Sequence, residues 1–105
     1  MEDSKKNLER GCKNIVKSIE EGVNAFDLVS DSYDITYTVD DQLRYNYGSI
    51  AVALGGPNIY ITTNSYNDNL LIEGYWGMDR VELQITDSIG LDDYLEERYN
   101  ETRGC

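Results

Sequence analysis

Between residues 4 and 26 the apolar positions are Leu8, Cys12, Ile15, Val16, Ile19, Val23 and Phe26. Steps of three and four residues put them on one stripe of an α-helix. Asp3 or Ser4 suits the N-cap, Gly11 and Gly22 weaken the helix locally, and the Ser30-Asp31-Ser32 cluster places its end near Asp27. The period then falls to two. Tyr33, Ile35, Tyr37 and Val39 alternate with Asp34, Thr36 and Thr38, as in a strand with one buried and one wet face. Asp40-Asp41-Gln42 is a turn, and a second strand over 44–54 alternates Tyr45, Tyr47, Ser49, Ala51 and Ala53 with Asn46, Gly48, Ile50, Val52 and Leu54. Its small residues predict an interior strand beneath a closely packed helix.

Gly55-Gly56-Pro57-Asn58 is a strong turn signal. Strands over 59–63, 70–76 and 80–85 follow, separated by the polar loop 64–69 and by Gly77-Met78-Asp79. Asp87-Ser88 can cap a closing helix whose apolar side is Leu91, Tyr94, Leu95 and Tyr99. Every link between strands is too short for a crossover, so the strands form a meander. The predicted class is α+β in two layers: an N-terminal helix, a five-stranded antiparallel meander sheet, and a C-terminal helix, both helices on one face. At 105 residues this is a single domain, 1–105.

Charge changes the picture. The chain has 9 Lys+Arg, 20 Asp+Glu and a formal net charge of −11. Residues 1–26 hold balanced charge, so the excess lies beyond Phe26, where Arg44, Arg80, Arg98 and Arg103 are the only bases. On the closing helix Asp92, Asp93, Glu96, Glu97 and Glu101 are read as one outward face, at a spacing near the roughly 3.4 Å between phosphates along one DNA strand. Asp40, Asp41, Asp68 and Asp79 in the turns extend the negative field. Such a field disfavours direct nucleic-acid binding and suits a basic protein surface. Lys6, Arg10, Lys13 and Lys17 form a smaller basic stripe on the first helix. Of nine tyrosines, Tyr66 in a polar loop and Tyr75 beside Trp76 are the expected contact aromatics.

Several chemistries drop out. With no histidine there is no Ser-His-Asp or Cys-His relay and no His-ligated metal. Cys12 and Cys105 have no metal or redox spacing; Cys12 falls on the apolar stripe. The loop with Asn64, Asn67, Asp68 and Asn69 lacks the register of a calcium loop, and the glycine turn lacks the Gly-Lys-Ser/Thr of a phosphate loop. Adjacent carboxylates such as Asp40-Asp41 point apart, so none is a preset acid–base pair. Neither a signal peptide nor a membrane span is expected.

Small size, high negative charge, a helix flanking a short antiparallel sheet and an acidic terminal helix together resemble the anti-CRISPR and anti-restriction proteins of phages and mobile elements. Gly55-Gly56-Pro57-Asn58-Ile59-Tyr60 followed by Tyr75-Trp76-Gly77 also looks like small proteins of bacterial mobile elements. The first likeness implies a non-catalytic, cofactor-free inhibitor in the bacterial cytoplasm. Its partner would be a basic nucleic-acid-binding protein such as a CRISPR effector nuclease. The expected contact set is Asp92, Asp93, Glu96, Glu97, Glu101, Asp40, Asp41, Asp68, Asp79, Tyr66, Tyr75 and Trp76. An antitoxin or accessory regulatory subunit bound to a dedicated neighbour is the alternative, and a small metal-dependent enzyme using Asp68 is a third.

Overall fold

Period-two alternation forms the sheet and period-3.6 spacing forms the helices that cover it. The computed structural model describes residues 4–64 and 66–103. The order is α1 (Ser4–Glu20), α2 (Ala25–Ser30), β1 (Asp34–Val39), β2 (Tyr45–Ala53), β3 (Asn58–Asn64), β4 (Asn69–Trp76), β5 (Asp79–Thr86) and α3 (Leu91–Arg103). The strands form one sheet in the order β1-β2-β3-β4-β5, each neighbour antiparallel. The expected α+β meander is present, and each predicted strand lies within about two residues of its place.

The first helix is shorter than predicted. It stops at Glu20, because Gly22 takes φ 89° while its N–H bonds to Ile19 O at 3.0 Å and the Val23 N–H bonds to Ser18 O at 3.1 Å. These two bonds close the C-terminus in a Schellman motif, where glycine adopts the left-handed conformation without Cβ strain. A separate helix, α2, then starts at Asn24, whose Oδ1 accepts the Phe26 N–H at 2.8 Å. Phe26 therefore leaves the α1 stripe: it is exposed and meets Tyr94 edge-on at 6.5 Å. The Asp3 cap and Cys105 lie outside the described residues, as does the Ser4 side chain.

Register places Ile35 opposite Ile50, Ile50 opposite Ile61, Ile61 opposite Ile72 and Ile72 opposite Leu83, one apolar row across all five strands. Helix α1 packs over β4 and β5, and α3 over β2 and β3, both on this face. Two glycines allow the close approach. A Cβ on Gly74 would lie 2.6 Å from Cys12 Sγ, and one on Gly48 would lie 2.8 Å from Leu95 Cδ1. Leu8, Cys12, Ile19, Ile50, Ile61, Leu70, Ile72, Leu91 and Leu95 are fully buried between the layers.

The predicted alternation of β2 fails in two places, one of them a register shift against β3 between Ala51 and Ala53 that sets Ala53 opposite the buried Ile59. β1 and β2 shift register at Thr38/Val39, with Thr38 opposite Tyr47 and Val39 opposite Tyr45. The extra residue sends Tyr45 to the helix side and Tyr47 to the other. That second face carries Thr36, Ser49, Tyr60, Thr62, Leu71, Glu73, Glu82 and Gln84, and no described helix covers it.

Candidate docking face

Helix α3 is held from its first turn to its last. The Asp87 carboxylate accepts the Leu91 N–H at 2.9 Å and the Asp92 N–H at 3.0 Å, filling two of the unbonded donors at the helix start. Leu91 and Leu95 are buried. Near the other end, Tyr99 packs on Tyr37 at 5.2 Å and on Tyr45 at 6.1 Å, and its hydroxyl donates to Leu43 O at 2.6 Å. Arg103 Nη1 donates to the same carbonyl at 2.7 Å. These contacts fix the rotation of α3 about its axis, and with it the carboxylates that face solvent.

Asp92 is not one of them. It is only 6% exposed and accepts from Thr63 Oγ1 at 2.6 Å and Tyr45 OH at 2.7 Å. Thr63 Oγ1 in turn accepts the Gly48 N–H at 3.0 Å, so α3 is tied to β2 and β3 through a closed polar network. Burial raises the pKa of the Tyr45 phenol above its ordinary value, and the Asp92 carboxylate adds to the effect. The expectation of Asp92 as a contact residue is thus corrected: its side chain belongs to the joint beneath the helix. A wheel of about 100° per residue already sets Asp92 within about 20° of Tyr99, at the edge of the arc of Leu91, Leu95 and Tyr99.

The remaining acids of α3, Asp93, Glu96, Glu97 and Glu101, are all exposed. Among the described residues no cation pairs with Asp93, Glu96 or Glu97. The ion pairs lie elsewhere, although Arg98 and Arg103 share α3 with these acids. Lys17 pairs with Glu21 at 3.9 Å, Arg44 with Asp40 at 2.8 Å, and Arg80 with Glu73 at 3.2 Å and Glu82 at 2.6 Å. The exposed cations of α1, Lys6, Arg10, Lys13 and Lys17, ride over β4 and β5.

The meander divides the other expected contact residues between two ends of the sheet. With α3 at one end are the β1–β2 turn, holding Asp40 and Asp41, and the β3–β4 loop, holding Tyr66 and Asp68. Tyr66 is 91% exposed and borders a hollow of mixed charge, with Asp40 and Glu96 against Arg44 and Arg103. Asp40 is engaged within its turn, where Oδ1 accepts the Gln42 and Arg44 N–H groups, both at 2.9 Å. The Arg44 N–H first, then that of Gln42 and the Arg44 guanidinium, hold its carboxyl below its ordinary pKa. Asp68 takes φ 54°, and its carbonyl accepts the Asp87 N–H at 2.7 Å.

At the opposite end are Trp76 and Asp79, where β4 turns into β5. Tyr75 is occupied: it packs on Tyr60 at 6.2 Å and donates to Glu73 Oε2 at 2.8 Å. That bond raises the Tyr75 pKa. These three residues are therefore not part of one patch with α3, because successive turns of a meander fall at alternate ends.

Among the described residues no three Cys, Asp or Glu side chains gather into a metal site. Cys12 is buried, which pushes its thiol pKa up and away from reactivity. No helix is long and apolar enough to cross a membrane. Comparison with protein-family models, with curated proteins and with solved structures gives no match.

Proposed function

We propose that the protein is a non-catalytic, acidic binding protein that inhibits a nucleic-acid-binding defence effector, such as a CRISPR or restriction nuclease, by docking α3 onto its basic surface. The observation that carries this reading is the exposed run Asp93, Glu96, Glu97 and Glu101 on a helix whose rotation is fixed, the first three making no ion pair among the described residues. From Asp93 to Glu101 the axial rise is about 12 Å, or one charge per roughly 4 Å, comparable with the phosphate spacing of a nucleic-acid strand. Tyr66 and the exposed Asp41 flank the run and add contact area and field.

Charged rims act through the encounter rate and through salt-dependent affinity. Reversing Asp93, Glu96 and Glu97 together to Lys should therefore raise the concentration needed for inhibition by about tenfold or more, and raising salt should weaken the unaltered protein in the same sense. The assay is nuclease inhibition in vitro with the effector captured from the host. Unchanged potency of the triple variant contradicts the reading. So does capture of a dedicated partner with no nucleic-acid-binding surface, which is the antitoxin or accessory-subunit outcome.

A further inference from the structure

The uncovered face of the sheet is a second, chemically different surface. A concavity of about 640 Å³ lies on it, floored by Thr62, Leu71 and Gln84, with Tyr47 on β2 at one side and Glu73 and Glu82 on β4 and β5 at the other. Among the described residues no lysine or arginine lines it. Glu73 and Glu82 are directly opposed across the β4–β5 ladder, an arrangement that costs stability unless a cation answers it. Arg80 does so from the margin. Its Nη2 lies 3.2 Å from Glu73 and 2.6 Å from Glu82, with the guanidinium 5.7 Å above the Tyr75 ring. One guanidinium against two carboxylates leaves a negative charge beside a hollow that supplies no cation of its own. The same site displays how such a pair is satisfied, by a planar cation stacked on tyrosine.

Building on the reading of a basic protein partner, we propose that this concavity receives an arginine side chain of that partner, carried on an extended segment laid across the sheet from β5 toward β2. Arginine fits better than lysine because its planar fork bonds carboxylate oxygens in parallel and stacks on aromatic rings. Neighbouring strands are about 4.8 Å apart, and the row of Glu82 runs through Glu73 and Tyr60 to Ala51, three intervals or about 14 Å across the sheet. Tyr47 lies four residues further along β2, so it is about 19 Å from Glu82, and at roughly 3.3 Å per residue about six extended residues on a diagonal path span that distance. They would set the arginine against Glu73 and Glu82 and an apolar side chain on Leu71 and Tyr47. A neutral or acidic segment finds no counter-charge there.

The test is an NMR titration of the full, isotope-labelled chain with a capped Gly-Arg-Gly-Leu-Gly peptide and with its citrulline counterpart, which keeps the shape and removes the charge. The arginine peptide should shift the amides of Leu71, Glu82 and Gln84 and bind about tenfold more tightly than the citrulline peptide. Glu82→Gln, at an exposed position that leaves the core untouched, should abolish most of that difference. Equal affinity for the two peptides, or shifts confined to α3, overturns the proposal. The two surfaces fail separately. If the α3 triple variant loses nuclease inhibition while the peptide does not bind, only this second surface is wrong. If the peptide binds as described and the triple variant still inhibits, only the α3 reading is wrong.

Discussion

Helices α1 and α3 are packed on the same face of one sheet by similar joints, yet they meet solvent with opposite charge. Each brings buried leucines against an interior glycine: Leu8 with Cys12 on Gly74 for α1, and Leu95 on Gly48 for α3. Above the joint, α1 carries Lys5, Lys6, Arg10, Lys13 and Lys17 against Glu9 and Glu20, whereas α3 presents Asp93, Glu96, Glu97 and Glu101 against Arg98 and Arg103. Packing does not dictate the solvent face, so the sign of that face is free to serve binding. Beneath the joint they differ again, because α3 alone adds the Asp92–Thr63–Tyr45 network. A buried carboxylate bonded to two hydroxyls holds direction better than apolar contact does, and it fixes which acids look outward.

The largest expected effects test the likeness of the joints. Leu8→Ala and Leu95→Ala should each cost about 3 kcal/mol in urea unfolding, since each removes a fully buried side chain from a closed core. A cost below about 1 kcal/mol at either position would mean that its helix is not part of the cooperative fold. Asp92→Ala comes next, at about 2 kcal/mol, because it leaves the buried Thr63 hydroxyl and the half-buried Tyr45 hydroxyl without their shared acceptor. Asp92→Asn should cost only about 1 kcal/mol, the amide oxygen still accepting from both. If the two substitutions are equally harmful, charge rather than hydrogen bonding holds α3. Gly74→Ala should cost about 2 kcal/mol by lifting α1 from β4, measured by the same unfolding curves.

The sheet and the two long helices are legible in the chain because alternation and the three-to-four spacing act locally. The break at Gly22 is not, since Val23 and Phe26 continue the apolar period of α1 and only the Schellman bonds end it. Asp92 is not legible for a different reason. Five acids on one helix suggest one face, but position on the wheel outweighs residue type once Thr63 and Tyr45 offer hydroxyl donors. Tyr45 and Tyr47 look equivalent until the register shift at Thr38/Val39 sends them to opposite faces. The Glu73–Glu82–Arg80 group needs the β4–β5 register, because two acids nine positions apart carry no local signal that they are neighbours.

The smallest expected effect concerns Asp40. Its carboxyl is held below its ordinary value by the Arg44 N–H above all, so the fold favours the charged form. The stability it adds is present above that ordinary value, near 3.8, and is lost as pH falls through the lowered one. Asp40→Asn should therefore be slightly less stable at pH 7, with the gap closing in acid. A gap that widens on acidification would reverse the sign of this assignment.

The contrast between the helices is tested most directly by two matched charge reversals in one nuclease-inhibition assay: Asp93, Glu96 and Glu97 to Lys on α3, and Lys6, Arg10 and Lys13 to Glu on α1. The α3 variant should lose inhibition by about tenfold or more while the α1 variant stays within about twofold of the unaltered protein. Equal loss in both variants, or loss confined to α1, would contradict the assignment of α3 as the docking face.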